Sequence, residues 1–171
     1  MMSRSFSIAL KKGAVGERIV RALLENKGWV VYQPITNGAH CFDMLSIKDK
    51  KKAIAIDVKA KARMNKWPAT GVNERHFLEY KAFSETHNMP FWIFFVDELL
   101  GKIYGNELKE LEVPIEVEGE MYPKTIQWPG NSPAIRYWSL ASMKLLADIS
   151  EEEMKELSSY NQRSHGYNLE N

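Results

Sequence analysis

Apolar residues recur at helical spacing between Ala14 and Lys27, where Val15, Ile19, Val20, Leu23 and Leu24 make one stripe. Gly13 precedes this stripe and Gly28 follows it, so the pattern predicts a helix over 14–27. The periodicity then changes. Trp29–Gln33, Phe42–Ile47 and Ala53–Lys61 read as strands, linked by the loop Pro34–His40 and the lysine-rich turn Lys48–Lys52. Strand, charged turn, strand is the signature of an antiparallel meander. Arg63–Gly71 holds Trp67-Pro68 and Gly71 and predicts a loop. Asn73 is suited to cap a helix running to about His87, with Tyr80 and Phe83 on its inner face, and Asn88 and Pro90 end it. Phe91–Val96 is continuously apolar, as expected of a strand buried on both faces.

The first 97 residues therefore read α-β-β-β-α-β. Further along, Gly101–Tyr104 suits a hairpin partner of the preceding strand, and Glu107–Glu112 one helical turn. Thr125–Trp128 and Ile135–Trp138 read as strands. Ser150-Glu151-Glu152-Glu153 forms a capping box for a last helix reaching about Tyr160. Asn161–Asn171 is polar and reads as a frayed end. The chain thus divides into a core, 1–97, and an extension, 98–171, packed on it.

Its 171 residues suit one domain with an added extension. No apolar run approaches the length that spans a bilayer, and the N-terminus lacks the apolar core of a signal peptide. A cytoplasmic protein without membrane partners is expected. A single cysteine, Cys41, excludes an intramolecular disulfide and a cysteine-rich zinc site. The near-neutral net charge of +1 conceals an asymmetry. Residues 1–66 carry 14 Lys and Arg against 5 Asp and Glu, and the remainder 9 against 17. A basic block suits a polyanion such as DNA. The glycines lack the spacing of a phosphate-binding loop, so no nucleotide cofactor is expected.

The candidate chemistry lies inside the basic block. On the strand 53–61, Asp57, Lys59 and Lys61 share one face, while Ile54, Ile56 and Val58 share the other. Asp43 sits on the preceding strand, and Glu17 borders the apolar stripe of the first helix, beside Gly16, which permits close backbone approach. Carboxylates bind Mg²⁺ well because the ion prefers hard oxygen ligands, with Mn²⁺ as a substitute. Such an ion lowers the pKa of bound water and offsets charge on a phosphate. Asp43, Asp57 and the Val58 carbonyl are candidate ligands, with Glu17 completing the shell. Lys59 is placed to orient water or neutralise developing charge.

These residues resemble the PD-(D/E)xK nuclease superfamily, and within it the archaeal-type Holliday-junction resolvases. The resemblance rests on Gly13-Ala-Val-Gly-Glu17-Arg18 and Lys27-Gly28-Trp29, on Phe42-Asp43-Met-Leu-Ser-Ile, on Ile-Ala-Ile-Asp57-Val-Lys59, and on His76-Phe-Leu-Glu-Tyr80-Lys81-Ala-Phe83. It spans Gly13 to about Val96. It implies an α/β fold with a restriction-endonuclease-like αβββαβ core, a central mixed sheet flanked by helices, and here a C-terminal α+β extension. It also implies Glu17, Asp43 and Asp57 as metal-site acids and Lys59 as the catalytic lysine. Phe42 stands where a proline is usual, His76 stands near a customary glutamine, and the residues beyond Val96 have no counterpart in a minimal resolvase.

Candidate DNA contacts are Lys11, Lys12, Lys61, Arg63, Lys66, Trp67 and His76. Some of the candidate site residues have a plainer alternative. Lys61 can be simply solvated, Trp67 can anchor its loop on the core, His76 can pack on its helix, and Glu17 can pair with Arg21 at i+4. The leading expectation is a Mg²⁺-dependent DNA endonuclease of resolvase type, acting as a homodimer with Phe91–Val96 and the tail contributing the interface. The alternatives are a restriction- or phage-recombination-type nuclease of the same fold, or a non-catalytic DNA-binding or assembly protein.

Overall fold

A computed structural model describes residues 4–35, 40–49, 52–64, 67–130 and 132–161. Its elements follow in the order α1 (Arg4–Asn26), β1 (Val30–Tyr32), β2 (Met44–Lys48), β3 (Lys52–Lys61), β4 (Ala69–Asn73), α2 (Glu74–His87) and β5 (Phe91–Asp97). The remainder comprises β6 (Lys102–Glu107), α3 (Leu108–Leu111), β7 (Ile115–Val117), β8 (Glu120–Tyr122), β9 (Lys124–Ile126), β10 (Ile135–Ser139), β11 (Lys144–Asp148) and α4 (Glu151–Asn161). The last stretch expected to fray, from Gln162 onward, lies outside the described residues.

The central sheet has six strands in the order β1-β2-β3-β5-β6-β11. The meander β1-β2-β3 is antiparallel, β3 and β5 are parallel across the α2 crossover, and β6 returns antiparallel beside β5. This is the expected mixed sheet flanked by helices. α1 and α4 cover one face, over Ile54, Ile56, Val58, Phe94 and Val96. α2 covers the other with a small sheet of order β4-β10-β9, over Ala55, Phe91, Ile93 and Phe95.

Several expectations change. α1 starts ten residues before Ala14 and runs through Gly13, which costs about 1 kcal/mol relative to Ala in a helix interior. Packing offsets that cost: Lys12 at mid-helix is tied to Asn161 on α4 and to Glu98 after β5. Arg63–Gly71 is not a single loop, since Ala69–Asn73 forms β4 and pairs with β10 more than sixty residues later. Local composition carries no trace of that partner. Phe91–Val96 is enclosed between β3 and β6 and all its side chains but Trp92 are buried, so the strand presents little surface to a second copy. β3 is buried on both faces over 54–58 rather than on one. The strands β7, β8 and β11 were not expected.

Other local signals hold. The Asn73 side chain accepts from the Arg75 N–H at 3.0 Å and caps α2. Ser150 and Glu153 form the capping box of α4, with the Ser150 N–H donating to Glu153 at 2.8 Å and the Glu153 N–H to Ser150 Oγ at 3.2 Å. Gly16 meets β3 as closely as its missing side chain suggests: a Cβ there would lie 2.6 Å from Ala60 Cβ.

Candidate active site

Parallel pairing with β5 and antiparallel pairing with β2 hold the middle of β3 rigid, and β2 stops short of the C-terminal end of β3. Asp43 lies just before β2 and extends its ladder by one bond, its N–H donating to the Ile56 carbonyl at 2.8 Å. Its side chain then turns along β3, where Oδ2 accepts the Val58 N–H at 2.7 Å. In a strand, a residue's N–H and C=O point to the same side. The Val58 carbonyl therefore points the same way as the N–H that Asp43 takes, beyond the end of β2.

Asp57 is 4% exposed. Its Oδ1 accepts from Lys59 Nζ and from the Tyr80 hydroxyl, both at 2.8 Å. Its Oδ2 is buried with no hydrogen-bond partner among the described residues. A buried carboxylate oxygen left this way is costly. Asp43 shows the same strain electrostatically. Burial first, and then the charges of Asp57 and Glu17, push its pKa up to about 7 against bonds and charges from Val58 and Lys59 that lower it. Two desolvated carboxylates held together in this way are hard oxygen donors of the kind that divalent cations such as Mg²⁺ or Mn²⁺ take.

Glu17 stands at the edge of this group on α1. Burial raises its pKa, the nearby His40 opposes the shift, and Asp57 and Lys59 lie within electrostatic reach. Gln33 donates to its Oε2 at 3.4 Å. Arg21, the alternative partner for Glu17, bonds Glu25 at 2.8 Å and Gln33 at 3.2 Å instead. Among the described residues no three His, Cys, Asp or Glu side chains converge as a ready-made metal cage. The assembled group is Asp43, Asp57, Val58 and Lys59, with Glu17 flanking it.

The sequence-predicted DNA contacts separate clearly. Lys61 lies one alternation beyond Lys59 and donates to the Gly71 carbonyl of β4. Burial and the charge of Lys59 lower its pKa to about 8, against the pull of Asp57. Lys11 is exposed on α1. Lys12 is engaged with Glu98 and Asn161. Arg63 bonds the fully buried Asp97 at 2.6 Å and Tyr104 at 3.2 Å, so it closes the end of β5. Trp67 packs on the small sheet against Ala69, Tyr122 and Tyr137, with Lys124 Nζ 4.2 Å from its ring centre. His76 is half-exposed, 3.4 Å from an Arg75 nitrogen, with its ring centre 6.3 Å from that of Tyr80. Lys66 lies outside the described residues.

Tyr80 is the residue that sequence reasoning assigned only to packing. Its ring stacks on Phe91 at 4.6 Å, while its hydroxyl crosses to Asp57. Burial and the Asp57 charge raise its pKa, which keeps the phenol a proton donor. A buried tyrosine hydroxyl needs a partner, and that requirement was the available signal.

The overall arrangement has a counterpart among solved structures. Over 84% of this chain and 93% of the other, with a TM-score of 0.50 and 12% identity, the structure matches Archaeoglobus fulgidus Hjc, a Holliday junction resolvase from an archaeal hyperthermophile. The fold is Hjc-like. No family model and no curated protein matches the sequence. Both sheet edges of this chain, β1 and β11, and all of β3 lie in the fold that carries the group around Asp57.

Proposed function

We propose that this chain is a metal-dependent endonuclease that hydrolyses phosphodiester bonds in DNA, with branched DNA such as a four-way junction as its substrate. The observation that carries the reading is the buried Asp57 carboxylate, with Oδ1 accepting two hydrogen bonds and Oδ2 without a partner among the described residues, beside a second strained acid, Asp43. A purely structural domain gains nothing from that arrangement. The Hjc-like fold supports the same reading.

Asp43, Asp57 and the Val58 carbonyl would hold Mg²⁺ or Mn²⁺, with Glu17 available to complete the shell. The ion supplies charge neutralisation at the phosphate and a more acidic bound water. The chain's own groups do the rest. Tyr80 and Lys59 fix the Asp57 rotamer together, both donating to Oδ1. Lys59 Nζ, with its side chain 29% exposed, faces outward from this anchor and can meet a phosphate oxygen or a water at the same time. Lys61 extends the cationic line along β3, and exposed Lys11 adds charge on α1.

Symmetric cutting of a junction calls for two sites related by a twofold axis, hence a homodimer. With all of Phe91–Val96 but Trp92 buried, its interface would draw mainly on other surfaces. The test is cleavage of labelled four-way junction, flap, linear duplex and single-stranded DNA with Mg²⁺, Mn²⁺ or EDTA. Paired symmetric cuts in the junction, lost in EDTA and in Asp57→Ala, are expected. Cleavage that survives Asp57→Ala removes the site. Cutting confined to flaps or duplex points to another nuclease class, and tight binding without cleavage points to a binding module.

A further inference from the structure

The sheet face that carries α1 and α4 is packed more closely at one end than at the other. Leu157 of α4 joins Val96 and Ile103 in the core there. Toward the other end a groove of about 620 Å³ opens, floored by Ile54, Trp92, Phe94 and Leu146 and walled by Leu23 and Trp29. Its depth has a local origin. A Cβ at Gly105 would lie 2.8 Å from Leu146 Cδ1 and 3.5 Å from Phe94 Cδ1, so the absence of a side chain lets both settle into the floor.

The rim is cationic. Lys27 and Lys52 border the groove, and Lys48 Nζ is held 2.8 Å from the Lys27 carbonyl. Among the described residues none of the three has an acidic partner. Among the described lining residues the one acid, Glu107, is already paired with Lys109 at 3.1 Å. Ile54 and the pair Asp57 and Lys59 lie on opposite faces of β3, so an occupant of the groove leaves the candidate active site open.

We propose that this groove docks an acidic amphipathic helix of a partner protein. Its apolar side chains rest on Trp92, Phe94 and Leu146, and its carboxylates meet Lys27, Lys48 and Lys52. An apolar groove of this size accepts several side chains from one helix face. DNA suits it poorly, because a phosphate backbone reaches only the rim and leaves the floor wet. A second copy suits it no better. A twofold interface here would bring three lysines of each copy, none with an acidic partner among the described residues, toward the same three of the other.

The proposal is tested on the full chain by fluorescence anisotropy with two synthetic helices. Both carry Leu and Phe at i, i+3, i+4 and i+7; one has Glu on its flanks and the other Lys. The Glu helix binds and shifts the tryptophan emission contributed by Trp29 and Trp92, while the Lys helix binds at least about tenfold more weakly. Lys27→Glu with Lys52→Glu, both exposed positions, inverts that preference and leaves DNA cleavage unchanged. Leu146→Asp weakens both helices. Equal binding of the two peptides, or indifference to the lysine reversals, overturns the proposal. So does loss of DNA affinity in the reversed protein without peptide binding, or a dimer that Leu146→Asp separates in sedimentation, since the groove then serves nucleic acid or a second copy.

Discussion

Replacing Asp43 with Asn should make the metal-free protein more stable while abolishing its cleavage activity. The Asn side-chain oxygen still accepts the Val58 N–H, and the new group carries no charge toward Asp57. The folded protein raises the Asp43 pKa from 3.8 to about 7. It therefore binds that proton more tightly than the unfolded chain does, so the acid's contribution to stability is present on the acid side and is lost as pH rises through about 7. At about pH 5 the folded carboxyl is protonated and the unfolded one is mostly ionised. By about pH 8.5 both are ionised, and roughly two units at about 1.4 kcal/mol each have been forfeited. The parent should thus lose roughly 2–3 kcal/mol between those pH values from this group alone, and Asp43→Asn should not. For a chain of this length that is a melting difference of roughly 4–10 °C, opening toward alkaline pH. Thermal melts in EDTA at the two pH values measure it directly. An Asn variant no more stable than the parent at the alkaline pH, or a gain of equal size at both, would refute the reasoning that burial, and after it the Asp57 charge, disfavours the ionised Asp43 carboxylate.

The other outcomes follow from single contacts. Tyr80→Phe removes one of the two donors to Asp57 Oδ1 and should cost about 1–3 kcal/mol in melting stability. A Mg²⁺ titration of junction cleavage should also show a raised metal requirement, which a purely structural loss would not produce. Gly16→Ala tests two opposing effects: helix propensity favours Ala by about 0.5–1 kcal/mol, but a Cβ 2.6 Å from Ala60 costs about 1–3 kcal/mol. Net destabilisation is expected, with recovery in the double variant Gly16→Ala, Ala60→Gly. Arg63→Ala leaves Asp97 charged and buried, so it should cost about 3–5 kcal/mol by denaturant unfolding. Its junction affinity, measured by gel shift where the variant is folded, should remain within about twofold of the parent.

The alternation along Ala53–Lys61 by itself places Asp57, Lys59 and Lys61 on one face, and the stripe from Val15 to Leu24 places Glu17 at the border of the core. Those features are local. Strand and helix geometry repeat every two and every 3.6 residues, so the sequence alone determined the first helix, the three strands of the meander and the side of β3 on which the acid lies, while the mixed sheet was what the family resemblance implied. Tertiary structure decided what the neighbours do. Lys12 and Arg63 looked like free cations and proved to be committed to Glu98 and Asp97. Ala69–Asn73 looked like loop and became a strand once β10 came alongside it. The Tyr80 hydroxyl and the partnerless Asp57 Oδ2 exist only where α2 and β3 are packed together. No periodicity records such pairings. They depend on which distant segments exclude water from one another, and that is settled by the closed fold rather than by any stretch of the chain.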